Sequence, residues 1–239
     1  MEGYSLTLAT RLYFHAATST VSGTLPATEQ STLTSTNTAD AVTVNRSMDT
    51  TIGTAQASVA VTTTGVTAKT DYLTKFISTQ LNQTSIAANT WTLNFAAKQS
   101  ASTMSFPRTP HPNIYVWRPS TGAKIASIAD ANTANVTAGG AGVEVSQNVT
   151  VSGASATCQV NDVIVVEIWA LHTPSQAASS VGTLYFDGTT VTTSSGTTVS
   201  NHASFLQTPE DITFVGGAPA SIDMTPNLTT YTNKIITKI

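Results

Sequence analysis

Large apolar residues recur at every second position in run after run of this chain. No stretch longer than about ten residues carries them at the i, i+3, i+4 spacing of a helix. In Thr90-Trp91-Thr92-Leu93-Asn94-Phe95-Ala96, the residues Trp91, Leu93 and Phe95 fall on one face and the polar residues on the other. That alternation predicts a half-buried strand. Between Gly142 and Val151, the residues Val143, Val145, Val149 and Val151 share a phase. Between Asp71 and Thr79, Leu73 and Ile77 share one phase while Tyr72 and Phe76 share the other. Asp71 to Leu81 is the best helix candidate in the chain, yet its β-branched and aromatic content predicts a strand. Asp162 to Leu171 is apolar on both phases through Val163-Ile164-Val165-Val166-Glu167-Ile168-Trp169, as a central strand covered on both sides is.

Shorter strands are expected at Arg11 to His15, Ala57 to Thr63, Asn113 to Arg118, Lys124 to Ile128, Gly182 to Phe186, Thr189 to Thr193, His202 to Phe205 and Ile212 to Phe214. Arg118-Pro119-Ser120-Thr121-Gly122 reads as a tight return, and Phe186-Asp187-Gly188-Thr189 carries the Asp-Gly hairpin signal. Many short strands with turn signals between them, and no fixed repeat, predict an all-β chain. The expected architecture is an antiparallel two-sheet sandwich of jelly-roll type. Residues 1–214 would form the sandwich, with the Thr/Ser-rich stretch Ser19 to Gly53 as a long loop or extended arm. Residues 215–239, entered through Gly216-Gly217-Ala218-Pro219, read as an extended C-terminal arm. Its apolar residues Ile222, Met224, Leu228, Tyr231, Ile235, Ile236 and Ile239 are too sparse for a core of their own. They are candidate partner contacts, ordered by strand addition to a neighbouring sheet edge.

Composition narrows the function classes. Only 10% of residues are charged against 40% hydrophobic, and Thr, Ser and Asn supply the missing polarity. The net charge is −3, and the ten Lys and Arg residues are scattered from Arg11 to Lys238. Such a chain has no field to offer a polyanion, so direct nucleic-acid binding is not expected. Cys158 stands alone, which excludes an intrachain disulfide and predicts a small buried residue. Met1-Glu2-Gly3-Tyr4 has no basic n-region, and no apolar run approaches the roughly 20 residues of a membrane helix. The expectation is a protein made soluble in a cytoplasm, with no membrane partner.

Catalytic and metal signatures are weak. His15, His111, His172 and His202 lie far apart without metal-ligand spacing, and no elbow of the G-x-S-x-G kind is present. Asp162 and Asp187-Gly188 lack the pattern of a calcium loop and read as turn residues. Glu210-Asp211 would point its carboxyls to opposite faces of a strand, and Gly139-Gly140-Ala141-Gly142 reads as a flexible loop rather than a phosphate cradle. No cofactor and no enzymatic activity are expected. Tyr115 and Trp117 share a phase opposite Ile114 and Val116. If the aliphatic pair faces the core, the aromatic pair either presents a flat outer surface, for a neighbouring subunit or a sugar ring, or lies beneath a loop.

Several blocks resemble those of accessory virion proteins of tailed bacteriophages: Ser22-Gly23-Thr24-Leu25-Pro26, Asn45-Arg46-Ser47-Met48-Asp49, Tyr115 to Gly122, Leu184 to Thr189 and Asn201 to Leu206. The nearest kind is the jelly-roll capsid cement or decoration protein, and the likeness spans roughly Arg11 to Phe214. It implies a non-enzymatic protein of the capsid exterior that clamps neighbouring major capsid subunits, acting as a homo-oligomer, a homotrimer. The uncharged stretch Thr51 to Ala68 agrees, because a lone sandwich defends its edge strands with charge or proline. The rival readings are a tail or baseplate component, including a receptor-binding head that recognises glycans, and a carbohydrate-binding module.

Overall fold

The computed structural model describes residues 9–27, 38–63, 69–99, 109–130, 139–172 and 180–216. These contain strands and no helix: β1 (Arg11–Thr18), β2 (Arg46–Asp49), β3 (Ala57–Thr63), β4 (Lys69–Ser78), β5 (Ser85–Ile86), β6 (Asn89–Gln99), β7 (Thr109–Arg118), β8 (Ala123–Asp130), β9 (Gly139–Ala141), β10 (Val145–Gly153), β11 (Ala156–Thr157), β12 (Val163–His172), β13 (Ser180–Phe186) and β14 (Phe205–Gln207). Twelve belong to one hydrogen-bonded sheet whose path runs β3, β13, β6, β14, β1, β2, β4, β12, β7, β8, with β9 and β10 added on β6. β5 and β11 form a separate pair. The large sheet is mixed, since β2 runs parallel to β4 and β9 parallel to β6.

The alternation in β6 puts Trp91, Leu93 and Phe95 on the core face as its sequence predicts, but the strand is not half-buried throughout, since Asn94 and Ala96 on the other face are buried as well. Val149 lies opposite Leu93 and Val151 opposite Trp91 across the β6/β10 ladder, so apolar side chains from two strands meet on one face. Both halves of the sheet path feed a single hydrophobic cluster. Leu93, Phe95 and Val151 come from one half, and Ile114, Val116, Ile164, Val166 and Ile168 from the other. Phe76 of β4 stacks on Phe14 of β1 at 4.2 Å between ring centroids and meets Phe186, at the end of β13, edge-on at 5.2 Å. Three strands are thereby held at one aromatic junction.

β12 is the central strand its composition predicts, paired to β4 on one side and β7 on the other. Its even-numbered residues Ile164, Val166 and Ile168 enter the main cluster, while Val163 and Val165 enter a second one on the opposite face. On β4 the expected phases do not hold along the strand. Leu73 and Phe76 share the main cluster whereas Ile77 joins the second, because the β12/β4 register shifts between Ile168 and Trp169. An extra residue in a ladder reverses the faces beyond it.

Three expectations are corrected. Ser19 to Gly53 is not merely a loop: it contains β2, the strand that joins the two halves of the sheet path. The Gly139 run forms β9 rather than a free loop. Thr189 to Thr193 and Ile212 to Phe214 contribute only isolated bridges, Thr190 with His202 and Leu81 with Phe214, and the third late strand begins at Phe205. The arm residues Ile222, Met224, Leu228, Tyr231, Ile235, Ile236 and Ile239 lie outside the described residues.

Candidate interaction surface

Tyr115 and Trp117 do project from the face of β7 opposite Ile114 and Val116, but that face is covered. Tyr115 is fully buried and packs with Ile77, Val163 and Val165, against which Val21, Leu25 and Trp117 also lie. Its hydroxyl donates to Glu167 Oε1 at 2.8 Å. The indole N–H of Trp117 donates to the Thr24 carbonyl at 2.7 Å. Tyr115 therefore offers no outer surface to a subunit or a sugar. The covering chain is the segment before residue 28, held close to the β7/β8 turn by the Thr24 N–H to Pro119 carbonyl bond at 2.9 Å. A Cβ on Gly23, whose φ is +112°, would stand 2.7 Å from the Pro119 oxygen, so the close approach depends on glycine there.

Under this cover lies a set of charges that sequence reasoning missed. Glu167 is in register with Lys75 on one neighbour and Asn113 on the other, and all three are buried. Lys75 Nζ donates to the carbonyls of Pro26, Ala27 and Val42, the last at 2.9 Å. Burial pushes the Lys75 ammonium down to about 8, against the opposing pull of Glu167. The lysine thus acts as an internal cation that gathers carbonyls from two covering segments. One signal was available: a single Lys inside Tyr72-Leu73-Thr74-Lys75-Phe76-Ile77 and a single Glu inside Val165-Val166-Glu167-Ile168 are charges set in apolar runs.

A cleft of about 340 Å³ opens beside the Pro119 turn, lined by Ser22, Gln80, Arg118, Ser120, Asn161 and Asp162 among others. Arg118 grips Asp162 through Nε at 2.8 Å and Nη2 at 2.9 Å, and the Gln159 N–H donates to the same carboxylate at 2.8 Å. Asp162 is committed to shaping its own loop, consistent with its reading as a turn residue. The cleft presents hydroxyl and amide groups beside the Arg118–Asp162 ion pair, with Pro119 and Val160 as its apolar lining.

The other sequence candidates are scattered. His202 is fully buried, with Nε2 near the Thr192 carbonyl at 3.2 Å, and burial lowers its pKa. Ser204 Oγ lies 3.5 Å from His202 Nδ1 but donates at 2.6 Å to the Tyr185 carbonyl, so this buried pair does not present a nucleophile. His15 sits between Asp49 and Asp187, 3.3 Å and 3.0 Å away. Glu210 and Asp211 lie outside the strands and bind different partners, Glu210 accepting from the Ala87 N–H and Asp211 from the Thr10 hydroxyl. Cys158 is buried, and burial pushes its thiol up, away from reactivity. Among the described residues no group of three His, Cys, Asp or Glu side chains has the arrangement of a metal site. The side chains of His111 and His172 lie outside what is described.

At the two ends of the sheet path the edges differ. β8 carries Lys124 and Asp130, whereas β3, with Val59 and Val61 turned inward and Ser58 and Ala60 outward, carries no charge at all. Among the described strands β3 is paired to β13 alone.

No family model and no curated protein matches the chain. Among solved structures, a CocE/NonD family hydrolase from Staphylococcus aureus aligns with 86% of this chain and 35% of its own length, at 10% identity and a TM-score of 0.22. The chain spans about a third of that hydrolase, and a superposition so loose defines neither a shared fold nor a shared activity.

Proposed function

We propose that this chain is a non-enzymatic virion protein of a tailed bacteriophage, a capsid cement or decoration protein. It would sit on the outer shell as a homotrimer and clamp neighbouring major capsid subunits. The observation that carries the reading is β3. Among the described strands β3 ends the sheet path with small outward side chains and no charge, proline or bulge, the kind of edge that strand addition from a second chain suits. The internal use of charge supports it as well. Arg46, Lys75 and Arg118 each find their polar partners within the chain. The finer fold assignment, a two-sheet jelly roll, belongs to the same proposal and is supported by the way both halves of the sheet path enter one cluster.

Many identical copies on one shell need only a modest interface each, because their contacts act together. Particles stripped of the protein should lose density from the shell and release DNA at a lower temperature than complete particles. Equal thermal survival, with density lost from the tail instead, would overturn the cement reading. The hydroxyl- and amide-lined cleft beside Arg118 favours one alternative, a glycan-binding tail or baseplate module. Binding of the isolated protein on a glycan array would favour that alternative.

A further inference from the structure

Among the described strands, the sheet path crosses from one half to the other through β2 alone, antiparallel to β1 and parallel to β4. The β1/β2 ladder lapses at this crossing. Phe14 pairs with Met48 and Thr18 with Arg46, so three residues of β1 stand opposite one of β2. Side chains close the gap: Arg46 Nη1 donates to the Ala16 carbonyl at 2.8 Å and Ser47 Oγ to the Ala17 carbonyl at 3.2 Å. The third closure is His15. Its Nε2 lies 3.3 Å from Asp49 Oδ1 on β2, and its Nδ1 lies 3.0 Å from Asp187 Oδ1, just beyond β13.

A neutral imidazole has one N–H and can donate to one of these carboxylates; its other nitrogen then faces an acceptor with a lone pair. Only the imidazolium donates to both. We infer that His15 is a proton-operated latch, closed when charged, which fastens β2 to β1 and to the Asp187 turn at the seam between the halves of the sheet.

The two sides of the latch are held unequally. Asp187 is fixed to β1, since its Oδ2 accepts from the Ala16 N–H at 2.9 Å and its own N–H donates to the Phe14 carbonyl at 3.0 Å. Gly53 lies against it, where a Cβ would collide. Asp49 Oδ1 is held from within its own turn, by the Thr51 N–H at 2.7 Å. Loss of the proton therefore leaves His15 donating to Asp187 and separates Asp49. The remaining nearby charge on β2 is Arg46, which pairs with Asp40 at 2.7 Å and lies over the Phe186 ring. The hydrogen bond to Asp49 is the largest cause raising the His15 pKa above 6.5; burial opposes it and the Asp187 bond adds to it. Burial tends to raise the Asp49 carboxyl, but the hydrogen bonds from His15 and Thr51 leave it below its ordinary value. A raised imidazole contributes stability that is complete below pH 6.5 and disappears as pH rises through the folded-state pKa.

The test is a nitrogen-resolved NMR titration of the imidazole together with amide exchange of residues 46–49, corrected for intrinsic base catalysis, on the full chain. The expected result is a His15 midpoint above 6.5, with both ring nitrogens protonated below it and loss of β2 protection above it. In Asp49→Asn the oxygen that accepts from the Thr51 N–H and faces Nε2 loses its charge, so the midpoint falls and the change in β2 protection across the titration shrinks. A wild-type midpoint at or below 6.5, or β2 protection unchanged across the titration, would overturn the latch. Should Asp49→Asn fail to fold, the wild-type titration alone decides.

Discussion

Strand β12 buries both of its faces, and the two burials rest on different physics. On the main-cluster face, Ile164, Val166 and Ile168 meet side chains from the other half of the sheet path, with aromatic rings filling the junction at Phe14, Phe76 and Phe186. On the opposite face, Val163 and Val165 share space with Tyr115, Lys75 and Glu167, and the lid over them is irregular chain fastened by hydrogen bonds. Apolar contact is undirected and scales with area, so the first face tolerates any partner of suitable shape. A buried lysine reaching named carbonyls tolerates one arrangement of the covering segments. The contrast explains why a Thr-rich stretch with little apolar content of its own can nevertheless be held on the sheet.

The comparison breaks most readily on the apolar side. Phe76→Ala removes the ring shared by Phe14 and Phe186 and should cost about 3 to 5 kcal/mol, a large part of the stability of an ordinary domain. Urea denaturation followed by tryptophan fluorescence measures it. A cost below about 1 kcal/mol would mean that the junction repacks freely and that the core is less specific than its ring geometry implies.

On the polar side the expected signature is non-additivity. Lys75→Met leaves Glu167 buried without its neighbouring cation, and Glu167→Gln leaves Lys75 without its counter-charge; each should cost about 3 kcal/mol. Joining the two changes removes both charges and should recover the part of each loss that comes from an isolated buried charge, while the carbonyls of Pro26, Ala27 and Val42 still lack their donor, so the double variant should cost less than the sum of the two. Additive costs in the double variant would show that the two side chains act independently and that the carbonyl contacts of Lys75 carry the whole effect.

The same contrast accounts for what could be read in advance. The apolar face follows period two, so β6 and both buried phases of β12 are visible in the residues alone, and so is β10 from Val145 onward, although Val143, in the same phase, lies exposed ahead of the strand. The strand at Asp71 to Leu81 is legible too, because Tyr72, Thr74, Phe76 and Ile77 suit a pleat better than a helix. β2 is not legible. It is four residues long with Met48 as its one large apolar side chain, and its place is fixed by Arg46, Ser47 and Asp49 reaching across the irregular seam. β9 is hidden for a related reason, since glycine carries no side chain from which a face can be inferred. Period two places Tyr115 and Trp117 on the correct face of β7, but covering that face depends on polar contacts from a segment distant in sequence. Contacts of that kind leave no periodic trace.

The smallest expected effect lies in the pH dependence of the buried lysine, and its sign separates the two faces. Burial brings Lys75 from 10.5 down to about 8, so between these values the unfolded chain binds a proton that the folded chain does not. Stability then rises with pH across that window. From pH 8 to pH 9 the gain attributable to Lys75 is about 1 kcal/mol, and smaller to the extent that water reaches Nζ. Other lysines and tyrosines titrate nearby, so the measurement is the difference between wild type and Lys75→Met in urea at pH 7, 8 and 9. Wild type should gain on the variant as pH increases. A constant difference would mean that the three carbonyls hold Lys75 charged throughout, and that hydrogen bonding rather than desolvation governs the polar face. A falling difference would mean that the ammonium binds its proton more tightly in the fold than in water, making Lys75 a net source of stability at neutral pH.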